Sequence, residues 1–396
     1  MRSNGIEIGD IFRQFGALYQ QGHKLPSHHI KAMSAIERCR TKALGGHVNM
    51  CEECGHEQIS YNSCRNRFCP KCQFLKREQW VLAREKHLLP ISYFHIVFTL
   101  PDDLNRLCLV NQKVMYDMLF KAGSETISDL GKDEKHVGGK VGFLCVLHTW
   151  GQNLMDHPHL HCIVTGGGLS NDGTRWVEPK KTTVKKDFFI HVNVLSDLFK
   201  KKFLAYLKQA YQSGKLKFFG EIEPLAYRNK FQKLVKKLYN KKWNTYCKKP
   251  FGGPEKVLRY LGRYSHRVAI SNSRIVKCEE NKVTFKWRDY RDGSKNKLMT
   301  VNAFEFIRRF LLHILPKGYF KIRYYGLLSS RNLSTNLELC KRLLKVATKI
   351  AEQAQKLSWD ELLFELFGID VWLCPKCHNG RLLRKQMIAA NSHAPP

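Results

Sequence analysis

Apolar residues recur at helical spacing from the start of the chain. Ile11, Phe15 and Leu18, then Ile30, Met33 and Ile36, predict two helices between Ile6 and about Leu44, broken at "GHKLP". A cysteine-rich stretch from Cys51 to Cys72 follows, and the helical period returns from Gln73 to about Leu89. The pattern then changes to the alternation of a strand in "SYFHIVFTLP", returns to a helix in "LNRLCLVNQKVMYDMLFKA", and gives a strand pair in "KVGFLCVLHTWG" and "LHCIVTGGG". The glycines Gly166 to Gly168 are expected to end that second strand. Further helices are predicted over Asp197 to Ser213, from about Pro254, where proline suits a first turn, and in "AFEFIRRFLLHILP". "RIVKCEENKVTFKWRDY" reads as a hairpin, and a helical tail from Asn336 to Phe367 leads to a last Cys-x-x-Cys, Cys374 and Cys377. Strands interspersed with helices without a regular βαβ repeat predict an α+β domain, preceded by a helical, metal-binding module and followed by a helical C-terminal region. The domain boundaries expected are 1–90, 91–275 and 276–396.

Composition adds a partner. The 396-residue chain is long enough for two or three domains, and its formal charge of +33 favours polyanions, nucleic acid first. Fourteen cysteines, several in Cys-x-x-Cys pairs, point to metal binding in a reducing compartment rather than to disulfides. The N-terminus has no signal-peptide core and no apolar run reaches membrane-spanning length, so a soluble, cytoplasmic protein with no membrane partner is expected.

Within "CEECGHEQISYNSCRNRFCPKC", two Cys-x-x-Cys pairs carry the spacing of a tetrahedral zinc site, which makes Cys51, Cys54, Cys69 and Cys72 the expected ligands of a structural Zn²⁺. Cys64, Cys39, His47 and His56 stay open as replacements or as parts of a second site. Arg65, Arg67 and Lys71 give the module a basic, DNA-facing surface. Cys374 and Cys377 lack two partners, with His378 the one obvious neighbour.

"DHPHLHCIVTGGG" places His159 and His161 two apart, hence on one face of a strand with Leu160 behind. Two imidazoles are half of a site for a divalent ion such as Mn²⁺ or Mg²⁺, and equally a polar stripe. The helix "EKVLRYLGRYSHR" adds Tyr260 and Tyr264, four apart on one face, beside Arg259, Arg263 and Arg267, which could hold phosphates. A phenolate attacking a phosphodiester held against a divalent cation is an activated nucleophile. Core packing is the alternative for both tyrosines. Tyr239, Trp243 and Tyr246 among lysines would suit stacking on unpaired bases, or one apolar edge of a charged helix.

"LHTWGQNLMDHPHLHCIVTGGG", "FGGPEKVLRYLGRYSHRVAISNSRI", "FEFIRRFLLHILPKGYFKIRYYGLLSSR" and "SCRNRFCPKCQ" together resemble the signature blocks of rolling-circle transposases of the insertion-sequence 91 family, HUH single-strand endonucleases with two tyrosines. The resemblance runs from about Ile11 to Cys377. It implies an HUH domain with a central antiparallel sheet, His159 and His161 as ligands of a catalytic Mg²⁺ or Mn²⁺, and Tyr260 and Tyr264 as nucleophiles that nick and rejoin single strands at transposon ends. A third side chain completes such sites, and His157, Gln152 and His148 are the candidates. Phe68 departs from the histidine expected before "CPKC". Host replication and helicase functions are implied partners, since the chain has no GxxxxGK[ST] loop. The competing reading is a zinc-dependent DNA-binding protein without catalysis.

Overall fold

The computed structural model describes residues 5–180, 189–248, 256, 262, 268–290, 292–345 and 357–390. In chain order these form α1 (Ile8–Gly22), α2 (Ser27–Arg38), β1 (Gly46–Cys51), β2 (Glu57–Tyr61), α3 (Gln73–Glu85), β3 (Tyr93–Thr99), α4 (Asn105–Val110), α5 (Gln112–Lys132), β4 (Lys140–Trp150), β5 (Asp156–Leu169) and β6 (Trp176–Val177). Then follow α6 (Val192–Gln212), α7 (Arg228–Asn240), β7 (Thr245–Lys248), β8 (Ile275–Glu279), β9 (Lys282–Asp289), β10 (Lys295–Asn302), α8 (Ala303–Leu312), β11 (Ile322–Gly326), α9 (Leu333–Leu343), α10 (Trp359–Phe367) and β12 (Leu382–Ile388). The class is α+β, as the pattern predicted, and among the described residues no helix is long and apolar enough to cross a membrane.

The chain divides into two compact units that do not follow the expected boundaries at 90 and 275. One gathers the described residues of Met1–Trp80, His266–Ile314 and Lys349–Pro396, the other those of Val81–Ser265 and Leu315–Thr348. The reason is strand pairing at long range. β12 joins β1 antiparallel, Cys51 opposite Leu382 and Gly46 opposite Ile388, in a sheet ordered β12-β1-β2. The C-terminal region carries helices, as predicted, and also supplies the β12 edge of the sheet built on β1 and β2.

In the first unit, Ile8, Ile11, Phe12, Phe15 and Tyr19 make the buried stripe of α1, whose first turn is closed by a capping box between Glu7 and Asp10. That stripe packs on α8, with the Phe12 and Phe310 rings edge to face at 5.4 Å and Tyr19 against Phe304 at 5.6 Å. α1 approaches α2 closely at Gly9, where a Cβ would stand 3.1 Å from the Ile36 carbonyl oxygen. The predicted hairpin is β8–β9. Glu280 and Asn281, both at positive φ, turn the chain, and β10 adds an unexpected third strand.

The second unit is built on an antiparallel sheet ordered β11-β4-β5-β3-β7, with β6 paired to β5. β5 is central. Leu160 lies opposite Leu147 of β4 and Phe98 of β3, and all three are buried. On that face α5 presents Gly123, where a Cβ would meet Leu160 at 2.9 Å and Phe98 at 3.2 Å. α6 adds Phe199, 4.6 Å from the Phe98 ring. By the two-residue period of a strand, His159 and His161 face away from these helices.

Gly166 to Gly168 do not end β5, which runs on to Leu169. They let other backbone come close. A Cβ would lie 2.6 Å from the Ser92 carbonyl oxygen at Gly166, 2.6 Å from the Val177 carbonyl oxygen at Gly167 and 2.7 Å from the Lys140 backbone at Gly168.

Candidate metal centre

Strand register assembles the histidines. His148 of β4 sits directly opposite His159 of β5, and His161 follows two residues on along the same face. One ring nitrogen from each of His148, His159 and His161 lies within 4.8 Å of the others, so a modest rotation of the rings would let them share one ion. His148 and His161 are buried and His159 partly so. His148 is thus the third candidate that the fold brings in. His157 stands outside this group, although its carbonyl takes part, and Gln152 lies in the turn between β4 and β5.

The hydrogen bonds orient the rings for ligation. A carbonyl can only accept, so the 2.6 Å contact between His159 Nδ1 and the His157 oxygen fixes the proton on Nδ1 and leaves Nε2 with its lone pair. His161 Nδ1 is 2.9 Å from Nε2 of His95, a buried residue of β3. With the proton on His161 Nδ1, His95 accepts and His161 Nε2 would be the atom offered to an ion, the arrangement in which an outer group holds a ligand ring in place. Burial pushes His95 down to about 4 and, with His157 nearby, His159 down to about 3, so both rings are neutral at physiological pH. Sequence reading missed His95. The signal was available: His95 alternates in β3 with Val97, which pairs with His161.

The cysteines form two clusters rather than one. Cys39, Cys64, Cys69 and Cys72 converge, with Cys72 Sγ 3.5 Å from Cys39 Sγ and 3.6 Å from Cys64 Sγ. Cys51 and Cys54 instead meet Cys374 and Cys377. The expected quartet of Cys51, Cys54, Cys69 and Cys72 is therefore split, because β1 carries Cys51 along its sheet toward β12 while the loop after β2 returns Cys64 to Cys39. In the first cluster, hydrogen bonding led by Cys64 lowers Cys39 to about 7, and that led by Cys39 holds Cys72 far below the usual thiol range. Four sulfurs at these separations, without the spacing of any disulfide, match the donor set of structural zinc.

Two of the three basic residues of this module, Arg67 and Lys71, are less available than their sequence suggests, while Arg65 is exposed. Lys71 pairs with Glu7, and Arg67 is half-buried over the Phe68 ring at 4.8 Å. Arg65 sits in the left-handed region at φ 54° directly after Cys64. In the lysine-rich segment Trp243 is core, its indole donating to the Leu238 carbonyl at 2.9 Å, so it is no stacking platform. Tyr239 and Tyr246 are exposed beside Lys200 and Lys248. Tyr260, Tyr264, Arg259, Arg263 and Arg267 lie outside the described residues.

Two family models match the chain, one described as "Putative transposase" over residues 142–335 and one described as "Transposase zinc-binding domain" over residues 11–100. The "Putative transposase y4qJ" of Sinorhizobium fredii is 46% identical over 385 residues, 97% of this chain and 96% of its own length. The "Transposase for insertion sequence element IS801" of Pseudomonas savastanoi pv. phaseolicola is 26% identical over 354 residues, 88% of this chain and 81% of its own. No solved structure matches. The first match contains His148, His159 and His161, and the second contains Cys39, Cys64, Cys69 and Cys72, so the buried imidazoles and one sulfur cluster fall inside segments characteristic of one group of proteins: the chain belongs to the insertion-sequence 91 family of transposases.

Proposed function

We propose that this protein is an HUH-type transposase that nicks and rejoins single DNA strands at transposon ends through a tyrosine–DNA link. The observation that carries the reading is the cluster of His148, His159 and His161 on the face of a central antiparallel strand that points away from α5 and α6, in a member of this family. Tyr260 and Tyr264, within the same matched segment, are the proposed nucleophiles, and Arg259, Arg263 and Arg267 the proposed phosphate contacts. Arg65, Arg67 and Lys71 are proposed to touch DNA from the cysteine module.

A divalent ion held by the three imidazoles would polarise a phosphodiester oxygen. An all-nitrogen donor set fits Mn²⁺ better than Mg²⁺, which prefers oxygen. The chain's own work is then positioning. His95 and the His157 carbonyl hold two ligand rings, and the helix-facing residues Leu160, Leu147 and Phe98 fix β5 in its register. A phenolate of Tyr260 or Tyr264 attacks phosphorus, a P–O bond to the tyrosine forms, and the bond to the 3′ oxygen breaks. That oxygen leaves with its electron pair, takes a proton and becomes a free 3′ hydroxyl, while the 5′ phosphate stays on the tyrosine. Bond energy is retained, so rejoining needs no external source, and the second tyrosine can act while the first link persists. Displaced DNA would be unwound and copied by host enzymes.

The test is nicking of labelled single-stranded DNA carrying transposon ends with Mn²⁺, followed by peptide mass spectrometry. A nucleotide adduct on the tryptic peptides with Tyr260 or Tyr264 is expected, lost in the Tyr260→Phe, Tyr264→Phe double variant and on chelation. Adducts that persist in that variant, or binding without any nicking, would reject the reading.

A further inference from the structure

Cys51 and Cys54 form a Cys-x-x-Cys turn leaving β1, and Cys374 and Cys377 form another ahead of β12. The two turns are built alike. In each, the residue after the second cysteine is left-handed, Gly55 at φ 67° and His378 at φ 57°. In each, backbone amides donate to sulfur. Cys54 N–H reaches Cys51 Sγ at 3.5 Å, and Lys376 and Gly380 N–H reach Cys374 and Cys377 Sγ at 3.4 Å apiece. Such amides favour the thiolate form that a metal needs.

Between the turns, Cys51 Sγ and Cys377 Sγ stand 3.7 Å apart, as do those of Cys54 and Cys374. A tetrahedral zinc with Zn–S bonds of about 2.3 Å has S···S edges of about 3.8 Å, whereas a disulfide would need about 2.05 Å. The backbone is adapted to this approach. A Cβ on Gly380 would lie 2.6 Å from Cys51 Sγ and 2.9 Å from Glu53 Cβ. Glu52 N–H donates to the Arg381 carbonyl at 3.1 Å, and the Asn379 amide donates to Glu53 at 2.9 Å.

We infer that Cys51, Cys54, Cys374 and Cys377 are a second structural zinc site, a clasp that fastens the β12 segment to β1. Two of its ligands lie outside both matched family segments, 11–100 and 142–335, and the pairs it joins are 320 residues apart. The clasp is independent of the nuclease reading, since it shares no residue with the histidine cluster.

The full chain should therefore hold two tetrathiolate ions. Exchange with ¹¹³Cd²⁺ is expected to give two resonances in the four-sulfur region, with any nitrogen-bound ion well upfield. Titration with a mercurial in the presence of a metallochromic dye should release two zinc ions from the wild type and one from Cys374→Ser, Cys377→Ser. Gly380→Ala is expected to make one of the two ions labile to chelator and leave the other unchanged. One four-sulfur resonance in the wild type, or equal release from wild type and double variant, would overturn the clasp. The cadmium spectrum of the wild type decides the matter even if the double variant does not fold.

Discussion

At the scale of single residues, the three histidines of "DHPHLH" separate by role. His159 and His161 were legible because the two-residue period of a strand puts them side by side. His148 required the register between β4 and β5, which no spacing within one segment contains. His148→Ala should cost more Mn²⁺ affinity than His157→Ala, measured by calorimetric titration of the full chain, because His157 offers its carbonyl rather than its ring. Equal losses would restore His157 as a ligand. His95→Ala leaves His148, His159 and His161 in place, yet on the proposed reading should weaken Mn²⁺ by about 10–100-fold by loosening the His161 ring, the usual cost of losing an outer-shell partner. An unchanged affinity would reduce His95 to a core residue. Cys39 was open rather than chosen for a similar reason: it stands alone, 25 residues before Cys64, and only the fold returns the chain to it.

At the scale of elements, legibility followed apolar content. α1 and α8 each bury a helical stripe, while β3 and α5 are buried on nearly every side, so apolar pattern or density alone located them. β7 is only four residues, and β12 buries little besides Leu382 and has Arg384, Lys385 and Gln386 in its middle. Neither has an apolar face to read, and β12 is specified by its pairing with β1. α2 carries a testable pH response of its own. Burial, with His28 beside it, lowers His29 to about 4 from an ordinary value of 6.5. The folded chain thus resists a proton that the unfolded chain accepts, and this contribution, full above pH 6.5, is lost as pH falls toward 4. The thermal midpoint should decline across that window, and His29→Gln should flatten the decline. An identical pH profile in the variant would show that His29 does not control it.

For the whole molecule, the charge of +33 was the plainest message of the sequence, and it predicts how DNA is held rather than where. Affinity for single-stranded DNA should fall linearly with log salt, at a slope of about −0.7 per phosphate neutralised. Filter binding from low to moderate salt would check this, and a flat profile would remove the electrostatic account. Whole-chain organisation was the least legible level, because a unit made of three separate segments leaves no mark in local pattern. The same arrangement sets an order of folding during synthesis. Chains emerge N-terminus first, so β1 and β2 wait as a two-stranded ribbon, a marginal structure by itself, until β12 has been made. Until then β1 has one side of its backbone unpaired, open to chaperones, proteases and the same strand of a neighbouring nascent chain, so a ribosome that stops short of Leu382 releases a protein with an adhesive edge.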